Sequence, residues 1–359
     1  MTYSLPNMES LVCPIPLPHN QRIVLGHGSG GRMSFDLISK IFLPQFDNPV
    51  LRMGDDAGIM IIPNDSSGVS SRLAISTDSH VVMPLFFPGG DIGRLAICGT
   101  VNDVAMMGAS PLCLTAGFVL EEGLDVNILR NVVESMHIAA LEANVQIIAG
   151  DTKVVQNGKA DGLYINTTGF GIIPNGVNIS GSRAQPGDSI IISGTIGDHG
   201  IAVLSARGEL HFDTQITSDV APLNGLVTTM LETTKEIHVL RDPTRGGVAT
   251  SLNEIACQSK VGIRIYEEAI PVKPAVTAAC EMLGFDPLHV ANEGKLIAIV
   301  DGNHADKLLA TMKKHPLGSD AAIIGTITEN QGDHVMLRTT FGTTRLIDML
   351  SGEMLPRIC

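Results

Sequence analysis

The run Val145-Gln146-Ile147-Ile148-Ala149-Gly150-Asp151-Thr152-Lys153, followed by Leu163-Tyr164-Ile165-Asn166-Thr167-Thr168-Gly169-Phe170-Gly171, decides the fold class. Residues 145–149 read as a buried strand that ends at Gly150, and 163–171 read as a second strand with no helix between them. The segment before them has apolar residues at 128, 129, 132, 133, 136 and 140, one face of a helix, with Asp125 as its N-cap. A helix, a strand and another strand in succession break the strict alternation of a doubly wound sheet. The expectation is an α+β fold.

The same mixture extends outward in both directions. Upstream lie a strand over Arg72–Ser76 that ends at Thr77-Asp78 and a helix over Ile92–Met107 that carries Asn102 and Asp103. Two turn signals, Pro174-Asn175-Gly176 and Gln185-Pro186-Gly187-Asp188, mark a domain boundary. Downstream come a strand at Ser189–Ser193, a helix after Gly197-Asp198-His199-Gly200 and a helix after Asp242-Pro243-Thr244-Arg245-Gly246-Gly247. A strand at Leu296–Val300 and a helix through Leu308 and Met312 follow. The expected organisation is a Pro-rich leader over 1–20, one domain over 21–178, a second over 179–338 and a mobile tail over 339–359.

Composition narrows the function. A chain of 359 residues buries a core of about two domains. The net charge of −13 opposes a polyanionic partner, and 4% aromatic content with no Trp offers few stacking platforms, so nucleic acid is not expected. The six cysteines form no C-x-x-C pair and suit a reducing cytosol. The first residues lack the features of a secretory signal, and no apolar run is long enough to span a bilayer. A cytoplasmic protein without a membrane segment is the expectation.

Three features carry chemistry. His27-Gly28-Ser29-Gly30-Gly31 precedes an amphipathic run (Met33, Leu37, Ile38, Ile41), and such a loop at a helix start exposes N–H groups that suit phosphate; a plain turn is the alternative. Asp55, Asp56, Asp78, Asp103 and Asp242 sit at element ends or among apolar or glycine neighbours, where an unpaired carboxylate is costly. Each also suits a cap or turn, but together they resemble a Mg²⁺ site. Lys153 suits phosphate binding or, desolvated, a base, and Glu293 divides between capping and catalysis. His27 and His199 read as surface residues of glycine turns. The third feature is the terminal Cys359, behind a stretch with Gly352 and Pro356 and no periodicity. Extended, the twenty or so residues after Thr340 reach roughly 60–70 Å, at about 3.3–3.6 Å per residue. That span would carry the thiol from solvent into a cleft of its own chain.

Gly54-Asp55-Asp56-Ala57, Ser76-Thr77-Asp78, Asn102-Asp103-Val104-Ala105, Gly150-Asp151-Thr152-Lys153 and Asp242-Pro243-Thr244-Arg245-Gly246-Gly247 occur in the order seen in the PurM-like (aminoimidazole ribotide synthetase) superfamily, which the sequence resembles. The glycine loop at 27–31, Gly150–Gln156, Asp242–Val248, Ala291–Leu296 and Pro356-Arg357-Ile358-Cys359 are similar to the HypE family of hydrogenase maturation proteins. The resemblance runs from about residue 21 to the end and leaves the leader without a role. It implies two α+β domains, an N-terminal homodimer contact and ATP with Mg²⁺ in a cleft. It implies carbamoyl dehydration on Cys359, loaded by a HypF-type carbamoyltransferase, with the cyano group passed to a HypC–HypD complex for a nickel–iron hydrogenase. By the same resemblance Lys153 and Glu293 remove protons, and Asp103 holds metal or the substrate nitrogen. Asp56, Asp78 and Asp242 bind Mg²⁺–nucleotide, and the 27–31 loop closes over the phosphates. Two rivals stand beside this reading. One is another ATP-using enzyme of the superfamily, such as a selenophosphate synthetase or a small-molecule kinase, which needs no terminal Cys. The other is a carrier that only ferries a group on Cys359.

Overall fold

The computed structural model describes residues 22–63, 70–208, 216–329, 332–350, 352 and 357–359. The leader at 1–20 and Pro356 lie outside them.

The chain begins with a short 3₁₀ turn at Leu25–Gly28, then α1 (Arg32–Leu37), a π-turn at Ile38–Phe42 and α2 (Leu43–Phe46). The first domain follows: β1 (Gly58–Ile62), β2 (Ser71–His80), a small hairpin of β3 (Phe86–Phe87) and β4 (Gly90–Asp91), α3 (Ile92–Met106), β5 (Ser110–Glu121), α4 (Val126–Ala143), β6 (Gln146–Val155) and β7 (Leu163–Ile173). Its main sheet has the order β1-β2-β7-β5-β6, antiparallel except for the parallel β5–β6 pair that α4 connects. Asp91 accepts from the Gly93 and Arg94 amides and caps α3, and Asp125 caps α4 through the Asn127 amide.

The second domain contains β8 (Ser189–Ile192), α5 (Asp198–Ala206), α6 (Asn224–Thr233), β9 (Ile237–Arg241), α7 (Gly247–Ser259), β10 (Gly262–Tyr266), α8 (Pro274–Leu283), β11 (Ile297–Val300), α9 (Ala305–Met312), β12 (Ala322–Thr328), β13 (Val335–Arg338) and β14 (Thr344–Ile347). They build a sheet of order β14-β13-β10-β12-β8-β11-β9. The end of α3 (Val104–Met107) shares one hydrophobic core with Leu223, Leu226, Val227 and Met230 of the second domain. This α+β architecture agrees with the expectation.

Two expectations change. Gly150-Asp151-Thr152-Lys153 is the middle of β6, not its end, because Thr152, Val154 and Val155 continue the parallel pairing with Phe118–Glu121 of β5. The segment expected as tail from 339 begins with β14, which pairs antiparallel to β13 and buries Ile347.

Candidate active site

The cleft lies where the two domains meet. Asp78 stands near the end of β2, and Asp103 projects from α3, where Gly99 lets the helix approach β2. Asp242 follows directly after β9, and Glu293 lies in the loop before β11. Two glycines are obligatory here. Gly247, at φ +61°, starts α7, and a Cβ on it would lie 2.6 Å from the Leu288 and Val290 carbonyls. A Cβ on Gly294 would lie 1.8 Å from the Asp219 carbonyl. Asn292 bridges the two loops by donating to the Pro243 carbonyl at 2.9 Å.

Each acid has a distinct environment. Asp56 accepts from Arg241 at 2.6 Å through Oδ1, while its buried Oδ2 has no hydrogen-bond partner. Asp103 accepts from the Ser76 hydroxyl at 2.6 Å. Buried oxygens of Asp242 (Oδ2) and Glu293 (Oε1) are also without hydrogen-bond partners. Burial pushes the Asp56 carboxyl well above the usual carboxylate range against the pull of Arg241, with Asp242, Glu254 and Asp55 adding repulsion. Burial also pushes up Asp103, with Asp242, Asp78 and Asp56 adding repulsion, and Glu293, with Asp242, Asp78 and Asp219 adding to it. Burial raises Asp242 to about 6. These mutual repulsions place Asp56, Asp78, Asp103, Asp242 and Glu293 in one electrostatic field. Among the described residues, no three His, Cys, Asp or Glu side chains close into a ready metal cage.

The terminal residue enters the same cleft. Cys359 lines a cavity of about 220 Å³ with Gly28, Ser29, Ser79, Arg245 and Ile358. Burial pushes its thiol far up, Glu293, Asp78 and Asp242 add to the rise, and Arg245 opposes it. The thiol therefore stays protonated in this position. Arg245 lines the same cavity and donates to the Gly28 carbonyl at 3.3 Å.

The structure brings Asp56, Asp78, Asp103, Asp242, Glu293, Cys359 and the Gly28-Ser29 loop together. It places three expected residues elsewhere. Asp55 accepts from the Gly181 amide at 2.7 Å and the Ser180 hydroxyl at 3.1 Å, a tie to the interdomain segment. His27 turns Nδ1 onto the Val24 amide at 3.0 Å, a local turn contact, because the 3₁₀ turn brings that amide back over the ring. Lys153 lies exposed on β6 and pairs with Asp151 at 2.7 Å, because the strand continues past it along an uncovered edge. Its groove shares Ser79 and Val81 with the Cys359 cavity. Sequence reasoning missed two residues. Arg245 stood inside a quoted motif without a role. His199, read as a surface residue, is fully buried, with Nε2 at 2.8 Å from the Ile358 carbonyl.

Comparison with known proteins agrees with this architecture. The model of the AIR synthase related protein N-terminal domain matches residues 54–173, and that of the C-terminal domain matches 185–338. Carbamoyl dehydratase HypE of Cupriavidus necator is 55% identical over 338 residues, 94% of this chain and 95% of that one. A crystal structure of a HypE–HypF complex superposes with a TM-score of 0.82 at 52% identity, covering 88% of this chain and 99% of that one. HypE in complex with ATP gives a TM-score of 0.78 at 50% identity, covering 94% and 100%. The chain belongs to the AIR synthase related family and, within it, to the HypE family of hydrogenase maturation proteins.

Proposed function

We propose that this chain is an ATP-dependent carbamoyl dehydratase that works on its own C-terminus, turning a carbamoyl group on Cys359 into a thiocyanate. One observation carries the reading: Cys359 lies in the acidic interdomain cleft, beside Arg245 and under the Gly28-Ser29 loop. A relative described with ATP and one described with HypF support ATP as co-substrate and a HypF-type carbamoyltransferase as the loading partner.

The residues divide the work by chemistry. Carbamoyl oxygen is a poor leaving group, and phosphorylation by ATP turns it into phosphate. Departure of that phosphate, with loss of both protons from nitrogen, leaves S–C≡N. Arg245 and the Gly28-Ser29 loop face the charge that develops on phosphate. Glu293, buried with a free oxygen, is the nearer candidate to take a proton from nitrogen. Asp103, Asp56, Asp78 and Asp242 fit Mg²⁺, since unpartnered oxygens on Asp56 and Asp242 and mutual repulsion across the group call for a cation. Bound there, Mg²⁺ would neutralise the phosphates of the co-substrate.

A raised thiol pKa inside the cleft makes Cys359 a weak nucleophile there. Loading therefore belongs to an outward tail and dehydration to an inward one, with the cyano group then passed to a HypC–HypD acceptor. Lys153 reaches this scheme through a homodimer. β6 is an open edge strand with Ile147, Ile148 and Val154 exposed, and pairing of two copies there would cover Lys153 next to the cavity that shares Ser79 and Val81. The free cysteines among the described residues fit a reducing cytoplasm, and no described helix is long and apolar enough to cross a membrane.

The test is intact mass after incubation with the carbamoyltransferase, carbamoyl phosphate and ATP. A carbamoyl adduct on Cys359 that loses one water only when ATP is present is expected. An adduct that never loses water would favour the carrier, and no adduct would remove Cys359 from the mechanism.

A further inference from the structure

Glu293 is gripped through its main chain from two sides. Asn102 Nδ2 donates to the Glu293 carbonyl at 3.2 Å, and the Glu293 amide donates to Asp219 Oδ1 at 3.1 Å. The other Asp219 oxygen pairs at 3.1 Å with Nζ of Lys295, two residues beyond Glu293 in the same loop. A ring thus closes from the Glu293 amide through the Asp219 carboxylate to the Lys295 ammonium and back along the chain. The Asp219 and Lys295 side chains are 3% and 13% exposed, so both charges are kept from water. Lys295 lays its stem over Gly194, just past β8, where a Cβ would lie 3.0 Å from Cε.

Asp219 belongs to segment 216–223, which forms no helix or strand. Cross-bonds to the first domain fix it instead. The Ser218 amide donates to the Pro88 carbonyl at 2.7 Å, Arg94 Nε to the Val220 carbonyl at 3.0 Å and Asn102 Nδ2 to the Ala221 carbonyl at 3.1 Å. The segment is therefore a strap between the first domain and the loop that carries Glu293. A buried ion pair adds little stability, because desolvation of both charges offsets most of their attraction. What this pair supplies is direction. Glu293 Oε1 is buried without a hydrogen-bond partner, so the aim of the carboxyl is set by the backbone behind it. We propose that Asp219 and Lys295 are positioning residues: their ion pair fixes the Glu293 peptide unit and so keeps the carboxyl in reach of the substrate nitrogen. Both act through Glu293 and take no proton themselves. This role rests on Glu293 as the proton acceptor of the proposed dehydration and adds two residues to that reading.

The measurement is the rate of water loss from the carbamoylated full-length chain, followed by intact mass against ATP concentration. Asp219→Ala removes the acceptor of the Glu293 amide and should lower the rate at saturating ATP by about tenfold to a hundredfold. The ATP concentration that gives half the maximal rate should not change. The double variant Asp219→Asn with Lys295→Met keeps an oxygen for the Glu293 amide and removes both charges together, so it should recover most of the lost rate. In a Glu293→Gln background Asp219→Ala should cost little more, because nothing is left to position. A purely structural role predicts equal losses in both backgrounds, or a half-saturating ATP concentration that rises with the loss. Either result overturns the assignment, as does a full rate in Asp219→Ala. Lys295→Met takes its place in the comparison if Asp219→Ala loses its melting transition. A full rate in Glu293→Gln removes the base and this role with it. A carbamoylated wild-type chain that never loses water removes the dehydratase reading itself, a result seen before any variant is made.

Discussion

At the scale of single residues, the cleft is a group of acids largely kept out of water around two guanidiniums, Arg241 and Arg245, and one thiol. Asp242 carries the clearest test. Burial raises its pKa from 3.8 to about 6, with Asp78 adding repulsion and Arg241 opposing. A folded pKa above the ordinary value means the folded state binds the proton more tightly. This stabilising contribution is complete below about pH 4 and is lost as the pH rises through about 6. In metal-free buffer, Asp242→Asn should therefore be more stable than the wild-type chain near pH 7, by at most about 3 kcal/mol. The two chains should converge near pH 4, which calorimetry across that range checks; parallel curves would contradict the linkage. Asp78, Asp103 and Asp242 stood out in the sequence because carboxylates among apolar neighbours are costly and so are informative, whereas Glu293 divided between capping and catalysis until the resemblance of Ala291–Leu296 singled it out. Arg245 and His199 did not stand out, because their environment is made by a tail more than a hundred residues downstream. Nothing local to Gly197-Asp198-His199-Gly200 announces that Ile358 will lie on the imidazole.

At the scale of elements, helix signals transferred well because caps and periodicity are local, as Asp125 and the 128–140 pattern of α4 illustrate. Strand limits transferred less well. β6 extends past Gly150 because its partner β5 is long, and β14 forms only because β13 offers an edge. Asn102 shows what an element contributes beyond its own length. From α3 its side chain donates to the Ala221 carbonyl at 3.1 Å and the Glu293 carbonyl at 3.2 Å, and accepts from the Leu223 amide at 2.7 Å. It is buried, so one amide clamps the loop that holds Glu293 to the first domain. Asn102→Ala leaves these backbone groups unpaired and should cost about 1–3 kcal/mol of stability, with kcat falling further than the melting temperature alone would predict. Steady-state kinetics at a temperature well below unfolding separates the two effects.

At the scale of the whole molecule, the α+β class was readable from the missing alternation of elements, but the joining of two domains through one core was not. Apolar residues such as Met106 and Leu226 do not declare their partners in sequence. The same limit hid the open side of the first sheet, where Ile148 and Val154 face solvent at 63% and 68% exposure. Ile148→Asp should convert a dimer to a monomer with little loss of fold, as sedimentation velocity would reveal; a wild-type chain that sediments as a monomer would remove the homodimer from the proposed scheme. The Ile358 side chain is buried in the first domain's core, and this has a kinetic consequence. Withdrawing a residue of this size from the core into water costs about 1.5–3 kcal/mol, which leaves only roughly one chain in ten to one in a hundred with its end outside. A loading enzyme that waits for this minor population finds its apparent affinity reduced by the same factor. Efficient loading therefore requires the partner to grip the tail itself and so compensate for the apolar contact that the end gives up on leaving the cleft.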